Sequence, residues 1–203
     1  MRYAKSHKQE TRDRVVKIAA KLLREKGPEG VGVADVMREA DLTHGGFYAH
    51  FPSKDAFLTE SLKQILTQAV EKRRALTEGL GPREALTAYV DYYVSAAHRD
   101  HPGNGCPIVA LNSELPRQSK SFRTAFDEGV KRLIDWLAQL MAASGMADSE
   151  KLAAATLSAM AGAVALSRAV GDRDLSDALL KTANSGIKTQ LGLISGSGQK
   201  VLS

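Results

Sequence analysis

Apolar residues recur at helical spacing along almost the whole chain, and no segment alternates with the period of a strand. Val15, Ile18, Ala19, Leu22 and Leu23 form one buried stripe, which stops at Gly27-Pro28, a C-terminal glycine followed by a helix breaker. A short second helix buries Val33, Val36, Met37 and Ala40 from a start near Gly32 or Val33. Asp41-Leu42 breaks the pattern, and Thr43 is placed to cap a third helix over 44–50. Pro52 ends that helix. Ser53 then caps a fourth, running to about Thr77 with Phe57, Leu58, Leu62, Ile65, Leu66 and Ala69 inward. Two helices parted by a three-residue turn within this short span predict a helix-turn-helix. Beyond Gly79-Leu80-Gly81-Pro82, helices are expected at about 82–100, 106–116, 118–144, 148–171 and 174–193. The fold class is therefore all-α. A helix-turn-helix domain over 1–52 precedes a larger helical bundle over 53–195, and a Gly/Ser-rich tail over 196–203 reads as flexible.

The stretch "LTHGGFYAHFPSK" (42–54) carries the most chemistry. Phe47 and Phe51 stand one helical turn apart and face the core with Leu42. The opposite face holds Gly45, Gly46 and Ala49, so almost nothing projects from it. Two glycines in a helix interior each cost about 1 kcal/mol. A bare face has a use where a backbone must come close to another body, such as the floor of a DNA major groove about 12 Å wide. Thr43 and His44 stand at the helix start, where recognition helices touch bases. Tyr48, His50 and Lys54 offer donors to phosphate oxygens, and the methyl of Ala49 suits a thymine methyl. The competing reading makes Gly45-Gly46 a loose turn, with the helix beginning at Phe47.

"LTHGGFYAHFPSKDAFL" resembles the recognition-helix signature of the TetR family of bacterial transcription factors, and the likeness extends over roughly residues 10–60. The resemblance implies an N-terminal three-helix DNA-binding domain and a C-terminal helical domain that binds a small molecule and dimerises. It assigns base reading to Thr43, His44, Gly45 and Gly46, and phosphate contacts to Tyr48, His50 and Lys54. Asp41 stands where the family usually has a turn glycine, a substitution a left-handed backbone tolerates in Asp better than in most residues. Gly46 replaces a common Thr, Ser or Ala.

Charge distribution agrees with a DNA partner. Residues 1–26 hold nine Lys and Arg against three Asp and Glu, a local +6 in a chain whose total is +5. Arg2, Lys5, Lys8, Arg12 and Arg14 are placed to follow phosphates or enter a minor groove; a solvated leader is the plainer reading of the first seven residues.

In the C-terminal part, Pro107 suits the first position of a helix, which makes Cys106 its N-cap. A thiol there meets the positive end of the helix dipole and gains thiolate character. The run 103–129 also resembles a TetR branch that includes repressors responding to electrophiles and oxidants, in which a Gly-Cys pair opens the corresponding helix. A buried cysteine acting as a small hydrophobe is the competing reading. Tyr89, Tyr93 and His98 share one side of the expected 82–100 helix, and Asn112 and Trp136 are candidates to face them across a ligand pocket. Core packing is the alternative for each. His98, His101 and Cys106 lack a fourth ligand, so no metal and no cofactor is expected.

One cysteine excludes an intrachain disulfide and a Cys-rich zinc site. The leader has no apolar core of a secretory signal, and the weakly polar run 152–166 is shorter than the ~20 residues of a membrane span. A cytoplasmic protein without a membrane partner is expected. Small residues over 148–171 and the apolar face of the last helix suit a homodimer with two reading heads on a palindromic site. The leading expectation is a ligand- or redox-responsive transcriptional repressor whose partners are double-stranded DNA and a small-molecule inducer. The alternative is an all-α interaction or scaffold protein. No nucleophile–base set, phosphate loop or paired acids suggests an enzyme.

Overall fold

A computed structural model describes residues 2–194 of the chain, with side chains from residue 8 onward. The basic side chains of Arg2 and Lys5 and the expected flexible tail over 196–203 lie outside what is described. Nine α-helices and three short 3₁₀ segments make up the described residues: α1 (Arg2–Lys26), α2 (Val33–Glu39), a 3₁₀ helix (His44–Ala49), α3 (Lys54–Thr77), α4 (Pro82–Tyr93), α5 (Ala96–Asp100), a 3₁₀ turn (Pro102–Asn104), α6 (Pro107–Leu111), a 3₁₀ turn (Leu115–Arg117), α7 (Lys120–Ala143), α8 (Ser149–Ala169) and α9 (Arg173–Gln190). They group into two compact units, residues 1–72 with 101–131, and residues 73–100 with 132–203.

The first unit is built on the stripes seen in the sequence. Val15, Ala19 and Leu23 of α1 are fully buried with Val36 and Met37 of α2, Phe47, Phe51, and Phe57, Leu62 and Ile65 of α3. Leu111, Leu115, Phe122 and Ala125 join this core from far along the chain. The helix ends obey local chemistry. Gly27 terminates α1 at φ +69°, and the Ser53 hydroxyl accepts the Ala56 N–H at 3.1 Å to cap α3.

The turn of the helix-turn-helix is a Schellman closure. Asp41 N–H reaches Arg38 C=O at 3.1 Å, and Leu42 N–H reaches Met37 C=O at 2.8 Å. Asp41 occupies the left-handed position at φ 56°, as its place in a glycine-preferring turn predicts.

The rest of the chain departs from expectation at three places. The single helix expected over 82–100 is two, broken at Val94-Ser95. The Ser95 hydroxyl donates to Tyr92 C=O at 2.9 Å and accepts the His98 N–H at 3.1 Å, replacing the backbone ladder with side-chain bonds. The helix expected over 106–116 is likewise interrupted, with α6 ending at Leu111 and Leu115–Arg117 forming a 3₁₀ turn. Finally, α8 is 21 residues long, so the length argument against a membrane span fails. Burial of Ala153, Leu157, Met160, Ala161 and Val164 makes it a packing helix within its unit.

A buried network ties α5 to α8 and α9. Arg99 is 4% exposed and pairs with Asp177 and, at 2.8 Å, Asp100; its guanidinium also donates to the Ser176 hydroxyl at 2.7 Å. Arg168 donates to the His98 and Arg99 carbonyls at the end of α5, at 2.6 and 3.1 Å. These contacts push the Asp100 carboxyl well below its usual range, first through its bond from Arg99 and then through that from Arg173.

Asp41→Gly is expected to stabilise the protein by up to about 1 kcal/mol by removing the left-handed Cβ penalty, and Asp41→Val to cost about 1–2 kcal/mol. Urea denaturation of the three proteins measures both.

Candidate nucleic-acid interface

The segment that carries the candidate reader is wound as a 3₁₀ helix over His44–Ala49, tighter than the α-helix projected from the sequence. Thr43 holds the N-cap position, but its side chain makes no capping bond, and two glycines lower the resistance to tighter winding. The last turn reverts to α geometry, with Phe51 N–H on Phe47 C=O at 3.0 Å.

Phe47 and Phe51, each 1% exposed, anchor this segment. Their rings lie 5.3 Å apart, and the Phe57 ring meets them at 5.4 and 4.7 Å. With that side committed to the core, Thr43, His44, Gly45 and Ala49 are exposed on the outside, and Lys54 is exposed at the start of α3. A Cβ built on Gly45 would meet nothing within 4 Å, so this part of the face is open. Gly46 differs: its Cβ would sit 3.6 Å from Thr43 Oγ1 and 3.7 Å from Met37 Cε, turned partly toward α2. The bare strip is therefore narrower than the sequence projection implies.

Tyr48 is 68% exposed, while its ring stands edge-on to Phe47 at 5.2 Å. A large amphipathic ring held this way points its hydroxyl outward at low entropic cost. Lys54 occupies the first position of α3, where a cation is disfavoured by the helix dipole. The pairing of ammonium and helix N-terminus suits an incoming phosphate.

Sequence reasoning misplaced Arg12. It is not a side chain extended toward phosphate. Its guanidinium donates to the His50 carbonyl at the end of the 3₁₀ segment, pairs with Glu60 of α3, and lies 4.5 Å from the Phe51 ring centroid. Arg12 thus clamps the reader to the helices before and after it. The 48 positions between Arg12 and Glu60 hid their pairing in the sequence.

His50 is half-buried, and its Nδ1 has no hydrogen-bond partner. Burial first, then the charges of Lys8 and Arg12, lower its pKa below the ordinary 6.5. Its surroundings favour the neutral imidazole over the charged one.

The candidate ligand residues divide between the two units. Tyr89, Tyr93, His98 and Trp136 come together in the second: the Tyr89 ring meets Trp136 edge-on at 4.7 Å and Tyr93 at 5.7 Å, and Tyr93 meets His98 at 4.8 Å. His98 Nδ1–H donates to Tyr93 C=O at 2.7 Å across the helix break. Cys106 and Asn112 belong to the first unit, where Cys106 is half-buried at the N-cap of α6 and Asn112 is exposed at its C-cap.

Comparison with known proteins agrees with this geometry. Residues 15–60 match the signature of the bacterial regulatory proteins, tetR family, and residues 82–182 match the LmrA/YxaF-like transcriptional regulator C-terminal domain. An uncharacterised HTH-type transcriptional regulator of Mycobacterium tuberculosis is 30% identical over 169 residues, covering 77% of this chain and 84% of that protein. The chain belongs to the TetR family. Among other TetR-like relatives, the HTH-type transcriptional repressor NemR of Escherichia coli is 26% identical over 134 residues, 65% of this chain and 67% of NemR. The crystal structure of reduced NemR superposes with a TM-score of 0.77 at 21% identity, covering 89% of this chain and 96% of that one, a likeness of fold.

Two outcomes follow for this TetR-family reader. Arg12→Met should cost about 1–3 kcal/mol in thermal unfolding, because a carbonyl and Glu60 lose a charged donor. Below about pH 6.5 the unfolded chain protonates at position 50 before the folded one does, so stability falls with decreasing pH. In a pH series of denaturation curves, His50→Gln should flatten that fall.

Proposed function

We propose that this TetR-family protein is a DNA-binding transcriptional repressor, released from its operator by a small molecule. The observation that carries the reading is the outward face of 43–54: an open Gly45, a small Ala49, and polar or charged groups at Thr43, His44, Tyr48 and Lys54, all fixed by two buried phenylalanines. An exposed face of this kind gains nothing from water and suits close approach to a groove. In this reading His44 and Thr43 contact base edges, with Gly45, Gly46 and Ala49 admitting the groove floor. Tyr48, His50 and Lys54 hold phosphates. Residues 1–52 act as the DNA-binding domain and 53–195 as the ligand-binding and dimerisation domain.

The protein acts as a homodimer on a palindromic operator in the cytoplasm, without a membrane partner and without catalysis. Its last two helices supply the dimer face. On α8, Ala155, Ser158, Ala159, Gly162 and Leu166 are exposed on one side; on α9, Leu175 is 49% exposed. Tyr89, Tyr93, His98 and Trp136 wall the inducer site. Cys106 senses electrophiles or oxidants; NemR, a repressor crystallised in a reduced form, gives this second route its weight.

Selecting bound fragments from the source genome, followed by footprinting, tests the reading; absence of any protected palindrome would sink it. Tyr48→Ala and Lys54→Ala should each weaken binding to all DNA and reduce the salt slope by about one contact. His44→Ala should instead change preference among operators, and equal losses on specific and random DNA would refute base reading. Cys106→Ser should abolish release by N-ethylmaleimide or hypochlorite while DNA affinity stays unchanged.

A further inference from the structure

Arg73, in α3, is 9% exposed and lies in the second unit. Its guanidinium lies 5.1 Å from the ring centroid of Trp136 on α7, and Trp136 in turn meets Tyr89 of α4 edge-on at 4.7 Å. No carboxylate pairs with Arg73 among the described residues, and its buried Nε has no hydrogen-bond partner. A buried charge is expensive unless it is paired and hydrogen-bonded, and a cation–π contact offsets only part of that cost. The same unit shows what a satisfied buried arginine looks like: Arg99 has Asp100, Asp177 and the Ser176 hydroxyl.

We propose that Arg73 is the anion-recognition residue of the effector site, and that the effector is a small organic carboxylate with an apolar body. The inference rests on reading the aromatic cluster as the wall of an inducer pocket. Three helices bring a planar cation and two aromatic rings together, and no carboxylate among the described residues neutralises the cation. The guanidinium fork matches a carboxylate through two parallel N–H···O bonds, a geometry that a lysine cannot offer. Tyr89 and Trp136 supply the apolar and edge contacts that hold the rest of the molecule. Sequence reading passed over Arg73 because it sits in the run "EKRRAL", which looks like a solvated helix face.

Trp136 is the single tryptophan of the chain, so its emission reports on the site directly. The purified full chain is titrated with benzoate, phenylacetate and octanoate, and with benzamide as the uncharged isostere of benzoate. At least one carboxylate is expected to shift the emission saturably, with benzamide inert over the same range. Arg73→Met should weaken that carboxylate roughly thirtyfold or more, as expected when one member of a buried charge pair is removed. Arg73→Lys should fall between the two. Without ligand, Arg73→Met should melt at the same temperature or higher, because it removes a buried charge that lacks a counter-ion.

Four results would overturn the proposal: no carboxylate moves the emission, benzamide binds as well as benzoate, Arg73→Met retains full affinity, or Arg73→Met melts far below wild type and so marks Arg73 as structural. Footprinting on the same preparations separates this from the regulator reading. Protected DNA without carboxylate binding removes the effector assignment alone; carboxylate binding without protected DNA removes the repressor reading alone.

Discussion

The packing of Phe47, Phe51 and Phe57, with ring centroids 4.7–5.4 Å apart, sets the orientation of the exposed face of the 43–54 segment proposed to meet DNA. Truncating a buried phenylalanine costs about 3–5 kcal/mol. The glycines beside them cost about 1 kcal/mol each in helix propensity. The anchors therefore outweigh the glycines, and a segment that would not form a helix alone is held in one rotation about its axis. Arg12 completes the hold by satisfying the His50 carbonyl where the segment ends and by pairing with Glu60 across it. Rigid seating of the segment lets a few exposed atoms carry directional information, because their positions do not wander relative to the core.

Three arginines show how one side chain serves three ends. Arg12 joins elements through a carbonyl, a carboxylate and a ring face. Arg99 is a structural cation, desolvated but fully matched by two aspartates and a serine. Arg73 is desolvated and faces the Trp136 ring, with no carboxylate partner among the described residues. Burial alone does not distinguish the last two; their partners do. The distinction matters because unmatched polarity in a folded interior is kept only where something else compensates for it.

Much of this was legible in the sequence where the signal is local. Helical periodicity located α1 to α3 and α7 to α9 closely, and the Asp41 turn followed from position and residue type. The inward pair Phe47/Phe51 followed from spacing alone. What was hidden depends on distant partners. Ser95 breaks a helix by bonding its own neighbours, a competition that apolar spacing does not register. The meeting of Arg12 with Glu60, and the burial of Arg73 beneath Trp136, depend on tertiary packing between helices. Leu111, Leu115 and Phe122 joined the N-terminal core from far along the chain, so unit membership could not follow chain order.

The empty space around Gly45 has an evolutionary side. Its backbone is not in the left-handed region, so a side chain there is sterically permitted, and alanine would gain about 1 kcal/mol in helix propensity. Stability and recognition thus pull in opposite directions at this one position. Under the proposed reading, selection for heat tolerance alone would fill it early, and the protein would become sturdier at the expense of close approach to a groove. The same vacancy makes position 45 a tolerant one: a newcomer displaces no neighbour, and in the proposed reading whatever it changes is felt by a DNA partner and not by the core.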